Sequence, residues 1–329
     1  MGGILVTGGA GYIGSHVVRL LGERGEPLHI LDNLSTGLRS AVLAGKLIEG
    51  DTRDTKLVTQ LLESRRIDSV FHFAAHIAVP ESIADPLKYY LNNSCGTASL
   101  LDCCVRTGVK HFIFSSTAAV YGIPPGGMAS EDTPTAPINP YGWSKLMSEW
   151  MLRDASAAHP LRHVALRYFN VAGADPGGRI GQSTPDATHL IKVACEHVVG
   201  KRDSVSIFGT DYDTPDGTGV RDYIHVEDLA EAHLKALDYL RMGGDSATIN
   251  CGYGTGYSVR EVLDMVAAVA GRSLTIHHGP RRAGDPPKLV AQAERIRAIL
   301  GWRPRHADLE HIVRTALAWE RRLAGRTTA

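Results

Sequence analysis

The sequence predicts an α/β protein: a doubly wound parallel sheet in the first half, with a smaller mixed α/β domain behind it. Three observations carry this. Short β-branched runs alternate with longer amphipathic stretches, the pattern of a parallel sheet covered on both faces. A glycine-rich turn, Gly8-Gly9-Ala10-Gly11-Tyr12-Ile13-Gly14, joins the first such run to the first amphipathic stretch. The texture then changes at the turn-rich Gly173-Ala174-Asp175-Pro176-Gly177-Gly178, beyond which elements are shorter and mixed.

In chain order, strands are expected at Ile4–Thr7, Leu28–Leu31, Leu47–Glu49, Val70–Phe73, Phe112–Ser115 and Val164–Arg167. Helical patterns at Gly14–Gly22, Thr55–Ser64, Pro86–Thr107 and Tyr141–Ala158 lie between them. The expected division is residues 1–173 for the first domain and 174–329 for the second, the chain returning to the first around 218–250.

Composition bounds what the protein does. Its 329 residues are 43% hydrophobic, enough for a sizeable core, and 35 basic side chains balance 35 acidic ones. A zero net charge argues against a chain built to grip nucleic acid or an anionic membrane. No apolar run approaches the roughly 18–20 residues of a transmembrane helix, and the N-terminus enters a strand pattern with no basic leader. Five cysteines, two of them adjacent at Cys103 and Cys104, suit neither a disulfide framework nor a zinc site. A cytoplasmic location is expected.

The glycine turn has a mechanism. Gly8, Gly11 and Gly14 allow a tight turn, close approach of backbone to a pyrophosphate, and packing of the following helix on the sheet. The helix N-terminus then offers free amides and a positive dipole end to phosphates. Asp32, at the end of the second strand, would accept hydrogen bonds from ribose hydroxyls and repel a 2′-phosphate, although a strand-end turn is its plainer use. Together these features indicate a Rossmann-type sheet and favour NAD over NADP.

Asn139-Pro140-Tyr141-Gly142-Trp143-Ser144-Lys145 is the second signal. Asn139 can cap a helix and Pro140 fits its first turn, which places Tyr141 and Lys145 on one face, one turn apart. A phenol titrating near 10 is a poor base at neutral pH, and a neighbouring ammonium favours its phenolate. This helix follows the fifth strand, which ends in Ser115-Ser116-Thr117, so those hydroxyls would face the same cleft. The trio Thr117, Tyr141 and Lys145 reads as an oxidoreductase site.

The Gly-x-x-Gly-x-x-Gly spacing resembles the extended short-chain dehydrogenase/reductase superfamily. That resemblance implies Asp51 and Thr52 at the adenine, Phe73, Ala74 and Ala75 against the cofactor's middle, Asn92 supporting it, and Thr117 on the substrate oxygen. Dehydratases of this superfamily follow the Thr with Asp-Glu; here Ala118 and Ala119 follow, which disfavours elimination. Over nearly its whole length the chain resembles the UDP-glucose 4-epimerase family. The matching segments are Gly8–His16 (with Tyr12 and Ile13), Asp32-Asn33-Leu34, Phe112–Gly122, Tyr141–Met147, Leu166–Asn170, Gly219–Asp228 and Arg281–Asp285. The resemblance implies 4-epimerisation of UDP-glucose and UDP-galactose through a 4-ketose, with bound NAD. It implies Asn33 and Ser115 beside the cofactor, Tyr168 near the nicotinamide, and Asn170, His189 and Leu190 at the diphosphate. Phe208 would pack on uracil, Arg221 and Arg282 clamp phosphate oxygens, and Asp285 meet a ribose hydroxyl. It also implies a homodimer through helices near Pro86–Thr107 and Tyr141–Ala158.

Two positions depart from the family's pattern or leave it open. Ile77 replaces a lysine that commonly touches the nicotinamide ribose. Leu289 sits where a bulky aromatic would exclude N-acetyl sugars and a small residue would admit them. Epimerases of UDP-N-acetylglucosamine or UDP-pentoses would use the same residues, and a noncatalytic NAD sensor on this fold is the rival of another class.

Overall fold

The computed structural model describes residues 2–185 and 187–327. The strands are β1 (Gly3–Thr7), β2 (Leu28–Asp32), β3 (Lys46–Glu49), β4 (Ile67–His72), β5 (His111–Thr117), β6 (Met128–Ala129), β7 (Arg162–Tyr168), β8 (Asn170–Ala172), β9 (Val205–Phe208), β10 (Val220–His225), β11 (Ala247–Cys251), β12 (Gly256–Ser258), β13 (Ile276–Gly279) and β14 (Lys288–Ala291). The helices are α1 (Tyr12–Glu23), α2 (Thr55–Ser64), α3 (Val79–Ala84), α4 (Pro86–Tyr89), α5 (Gly96–Thr107), α6 (Pro140–Ala158), α7 (Leu190–Val198), α8 (Val226–Arg241), α9 (Val259–Ala270), α10 (Glu294–Leu300) and α11 (Leu309–Thr327).

Seven strands form the large sheet in the order β11-β7-β5-β4-β1-β2-β3, every neighbouring pair parallel. Alternation along β1 explains the two-sided core. Ile4 and Val6 point to one face, with Val17, Val18, Leu229 and Leu237 of α1 and α8. Leu5 points to the other, with Val58, Leu61, Leu100 and Leu152 of α2, α5 and α6. A strand buried on both faces is a near-continuous apolar run, which is why these strands are legible. The strand order reverses at β1 and β4, and ligands of such sheets bind beyond the carboxyl ends of the strands at that switch point.

The chain leaves the large sheet at Phe169 and enters a second, five-stranded sheet centred on β10, which is parallel to β8 and β14 and antiparallel to β12; β6 pairs with β14. A two-stranded unit, β9 with β13, and helices α7, α9 and α11 enclose a separate apolar core. Of the segment expected to return around 218–250, β10 belongs to the small sheet, and α8 and β11 join the large one. One predicted helix divides. Pro86–Thr107 runs as α4, a π-helical turn Tyr90–Cys95, and α5, which ends at Gly108 in the left-handed conformation (φ 75°). π turns arise as single widened turns inside α-helices and cluster at functional sites.

Candidate active site

The glycine turn is built at the switch point. Gly8 has φ +70°, and a Cβ there would stand 2.5 Å from the Ala74 nitrogen; a Cβ on Gly14 would stand 2.3 Å from the Gly8 oxygen. Glycine is therefore required both for the approach of β1 to the end of β4 and for seating α1 on the turn. The Asp32 carboxylate accepts the Ala10 and Leu34 amides, each at 2.9 Å, and has acceptor capacity left for ribose hydroxyls. A cradle of backbone amides at a helix N-terminus with a carboxylate at the next strand end fits a dinucleotide.

Around this turn the predicted residues divide by what already engages them. The Tyr12 hydroxyl donates to the Gly173 carbonyl at 2.6 Å, so its side chain fastens α1 to the chain break while its backbone, with that of Ile13, stays at the turn. Asn33 donates to Asp51 at 3.3 Å. Arg53, which sequence reasoning missed, grips Asp51 through two hydrogen bonds of 2.9 Å and holds that carboxyl down at about 2. Thr52 is buried against Gly96, and the Phe73 ring packs 4.8 Å from that of His233. Asn92 is half-buried and donates to Asn93, and it is Asn93 that makes the ties: it accepts the His76 amide at 2.9 Å and donates to the His76 carbonyl and the Ser144 hydroxyl, both at 3.0 Å. The Asn-Asn pair was visible in the sequence; which member faces inward depends on the π turn.

The catalytic candidates converge. Asn139 caps α6 by accepting the Gly142 amide at 2.9 Å, and Pro140 fills the first turn. Tyr141 is 7% exposed and Lys145 3%. Lys145 Nζ donates to the Ser115 carbonyl at 2.7 Å, and the Ser115 hydroxyl shares a 2.5 Å hydrogen bond with the Tyr168 hydroxyl. Thr117 pairs with Tyr168 in register and accepts the Ala119 amide at 3.2 Å. Burial pushes the Tyr141 phenol up to about 12, opposed by a hydrogen bond with Thr117. Burial likewise pulls the Lys145 ammonium down to about 7, opposed by the charge of Glu149.

The second group lies across the cleft. Arg221 donates to Asp285 at 2.6 Å and to the Val220 carbonyl at 2.9 Å. The Arg282 guanidinium stacks 3.7 Å from the centre of the Phe208 ring, while Arg281, half-exposed, pairs with Asp211 at 2.8 Å. His189 precedes α7, which begins at Leu190, and its Nδ1 accepts from the Gln182 amide at 2.9 Å. Asn170 pairs in register with Tyr223, two residues beyond Arg221 on β10. The two groups are joined: the Asn139 amide, at the head of the catalytic helix, donates to the Gly284 carbonyl between Arg282 and Asp285 at 3.4 Å.

With this geometry in place, comparison with known proteins is decisive. The NAD dependent epimerase/dehydratase family matches residues 4–252. A UDP-glucose 4-epimerase of Azospirillum brasilense is 58% identical over 321 residues, 97% of this chain and 92% of that protein. The chain belongs to the UDP-glucose 4-epimerase family. The crystal structure of the Brucella ovis UDP-glucose 4-epimerase in complex with NAD superposes with a TM-score of 0.93 at 45% identity, covering 97% of this chain and 98% of that one. The UDP-Glc/GlcNAc 4-epimerase of Campylobacter jejuni superposes at 0.85 with 50% identity, covering 98% and 100%.

Two further positions from the sequence lie near these groups. Ile77 is 49% exposed beside His76 and brings no charge to the cleft. Leu289 is buried and pairs in register with Arg221, so it lies in the wall beside the Arg221–Asp285 pair.

Proposed function

We propose that this protein interconverts UDP-glucose and UDP-galactose by inverting C4 through a 4-ketose. The observation that carries the reading is the convergence of Thr117, Tyr141 and Lys145 at the carboxyl end of the sheet, one hydrogen bond from the loop bearing Arg282 and Asp285. Residues 1–173, with the returning segment, would hold NAD, and 174–329 the UDP-sugar. The turn Gly8–Gly14 would cradle the pyrophosphate, with Asp32 and Asn33 on the ribose, Asp51 and Thr52 at the adenine, and Phe73, Ala74, Ala75, Asn92, Ser115 and Tyr168 along the nicotinamide half. When bound, NAD would supply the hydride acceptor for C4 and, once reduced, the donor that returns the hydride.

The chain's own residues do the rest. Tyr141 Oη takes the proton of the 4-hydroxyl, and Thr117 shares the hydrogen-bond load on the same oxygen. Lys145, held by the Ser115 carbonyl, is the cation that in its ammonium form favours the phenolate. Arg221 and Arg282 act as planar forks on the diphosphate, with Asn170, His189 and the Leu190 amide, and Asp285 takes a ribose hydroxyl. Seating uracil on Phe208 takes the Arg282 guanidinium off that ring and toward the phosphates. Gripping UDP rather than the sugar leaves the ketose free to present either face.

The dual activity named for the Campylobacter jejuni relative favours one second reading, that UDP-N-acetylglucosamine is also accepted, and Leu289, neither bulky aromatic nor small, leaves it open. The test is to incubate the purified protein, without added NAD, with UDP-glucose, UDP-galactose, UDP-N-acetylglucosamine and a UDP-pentose, and to resolve the products. Conversion to the C4 epimer is expected. NAD binding without turnover of any of them would make the protein a sensor.

A homodimer is part of the reading. Leu87, Leu91, Trp143, Met147 and Trp150 are exposed apolar side chains on two segments that pack together, α4 with the π turn and α6. A second copy, related by a two-fold axis, would cover this stripe with the same stripe. No helix among the described residues is long and apolar enough to cross a membrane, and all five cysteines are unpaired, which supports action in the cytoplasm.

A further inference from the structure

Beneath the catalytic pair lies a buried charged group that the proposed chemistry does not use. Glu149 stands one turn beyond Lys145 on α6 and is buried. Its carboxylate accepts Arg167 Nε at 2.9 and 3.2 Å, Arg167 Nη2 at 2.6 Å and the Ser116 hydroxyl at 2.5 Å. Arg167, buried too, donates onward to the Tyr121 hydroxyl at 3.0 Å, which donates to Asn250 at 2.6 Å. Ser116 lies between Ser115, whose carbonyl holds Lys145, and Thr117. A chain of short hydrogen bonds therefore fixes one negative charge one helical turn from the ammonium.

We propose that Glu149 is a positioning residue that biases the Tyr141–Lys145 pair toward ammonium with phenolate and away from amine with phenol. The inference rests on the epimerase reading for its rate consequence. The reason is a matter of tautomers. With one proton between them, the pair exists as phenolate with ammonium or as phenol with amine, and interacting groups titrate as one unit. Burial alone favours the uncharged form, raising the phenol and lowering the ammonium. Something fixed must oppose it on the lysine side, and Glu149 is the nearby anion that does so.

The other groups packed here do not take that role. His72 of β4 is buried and held neutral, its imidazole down at about 3, by burial and by Lys145 itself. Tyr168 of β7, Tyr121 after β5 and Tyr89 of α4, whose ring meets that of Tyr141 edge-on at 6.4 Å, are phenols that burial pushes up. Arg167 is a cation whose charge is met by Glu149.

The test uses the NAD-loaded protein. The ionised fraction of Tyr141 at pH 8 is read as the near-ultraviolet difference between each protein and its Tyr141→Phe counterpart, alongside kcat across pH. Glu149→Gln is expected to lose the phenolate signal and to lower kcat by roughly 10- to 100-fold at every pH, because the wrong tautomer carries the same number of protons. Glu149→Asp, which keeps the charge, restores the signal. Arg167→Gln breaks the same ion pair but leaves the carboxylate, and it keeps the signal. Equal loss in Glu149→Gln and Arg167→Gln, or an unchanged signal in Glu149→Gln, overturns the inference and leaves a structural ion pair. If Glu149→Gln yields no folded holoenzyme, the Asp and Arg167 variants decide. A wild-type protein inactive on every UDP-sugar refutes the epimerase reading instead, and leaves the phenolate measurement standing.

Discussion

The face of α6 that lies against β5 carries Tyr141, Ser144, Lys145, Ser148 and Glu149, all buried, whereas its outward face carries Trp143, Met147 and Trp150, all exposed. A surface helix usually has these the other way round. The inner face is tolerable because it is satisfied: Ser144 donates to the Tyr141 carbonyl at 2.7 Å, Ser148 to the Ser144 carbonyl at 2.9 Å, Lys145 to Ser115, and Glu149 accepts from Arg167. The outer face has no such resolution within one chain. The difference teaches that the helix is held by hydrogen bonds inside and leaves apolar side chains uncovered outside, so the proposed chemistry and the proposed assembly fall on separate sides of one element.

That contrast can be broken from either side. The largest effect is expected inside: Tyr141→Phe removes the base alone and should cut UDP-galactose turnover by about 10³-fold with NAD still bound, which a coupled assay and cofactor release on denaturation would check. Lys145→Met should lower turnover by roughly 10²-fold, and it carries a pH signature. The folded ammonium titrates near 7 against 10.5 in the unfolded chain, so the unfolded state binds more protons between those values. Wild-type stability therefore rises with pH through that window, and the Met variant's advantage in thermal melts at pH 6 should vanish by about pH 10. On the outer face, Trp150→Glu should convert a dimer to a monomer in sedimentation while turnover stays within about threefold of wild type; a sedimenting monomer in the wild type would remove the assembly half of the contrast. Smallest, Asn139→Ala removes the cap and the tie to Gly284 and should cost about 1 kcal/mol in urea unfolding, with a modest rise in KM.

Much of this was legible in the sequence, for reasons that also mark where legibility stops. The large-sheet strands are apolar runs long enough to show, and Tyr141 and Lys145 stand at a spacing that a capped helix puts on one face. Strands β6 and β8 are too short to carry a period, and their partners lie far along the chain. Arg53, Asn93 and Glu149 have no local signature: a polar residue on a helix or loop reads as solvated until packing shows otherwise. Tyr12 lies at the turn, and the direction of its phenol depends on Gly173, which is remote in sequence.

The π turn Tyr90–Cys95 sets a phase. A widened turn advances the chain by one residue without advancing it by one α-helical step, so everything after it is rotated by about 100° relative to an uninterrupted helix. Before the turn, Leu87 looks outward; within it, Leu91 looks outward and Asn93 inward to His76 and Ser144. Deleting a single residue there would leave a longer, more regular helix with α4 and α5 in their present orientations, and would change which residue of the turn meets His76 and Ser144. The turn stores one extra residue without disturbing what flanks it.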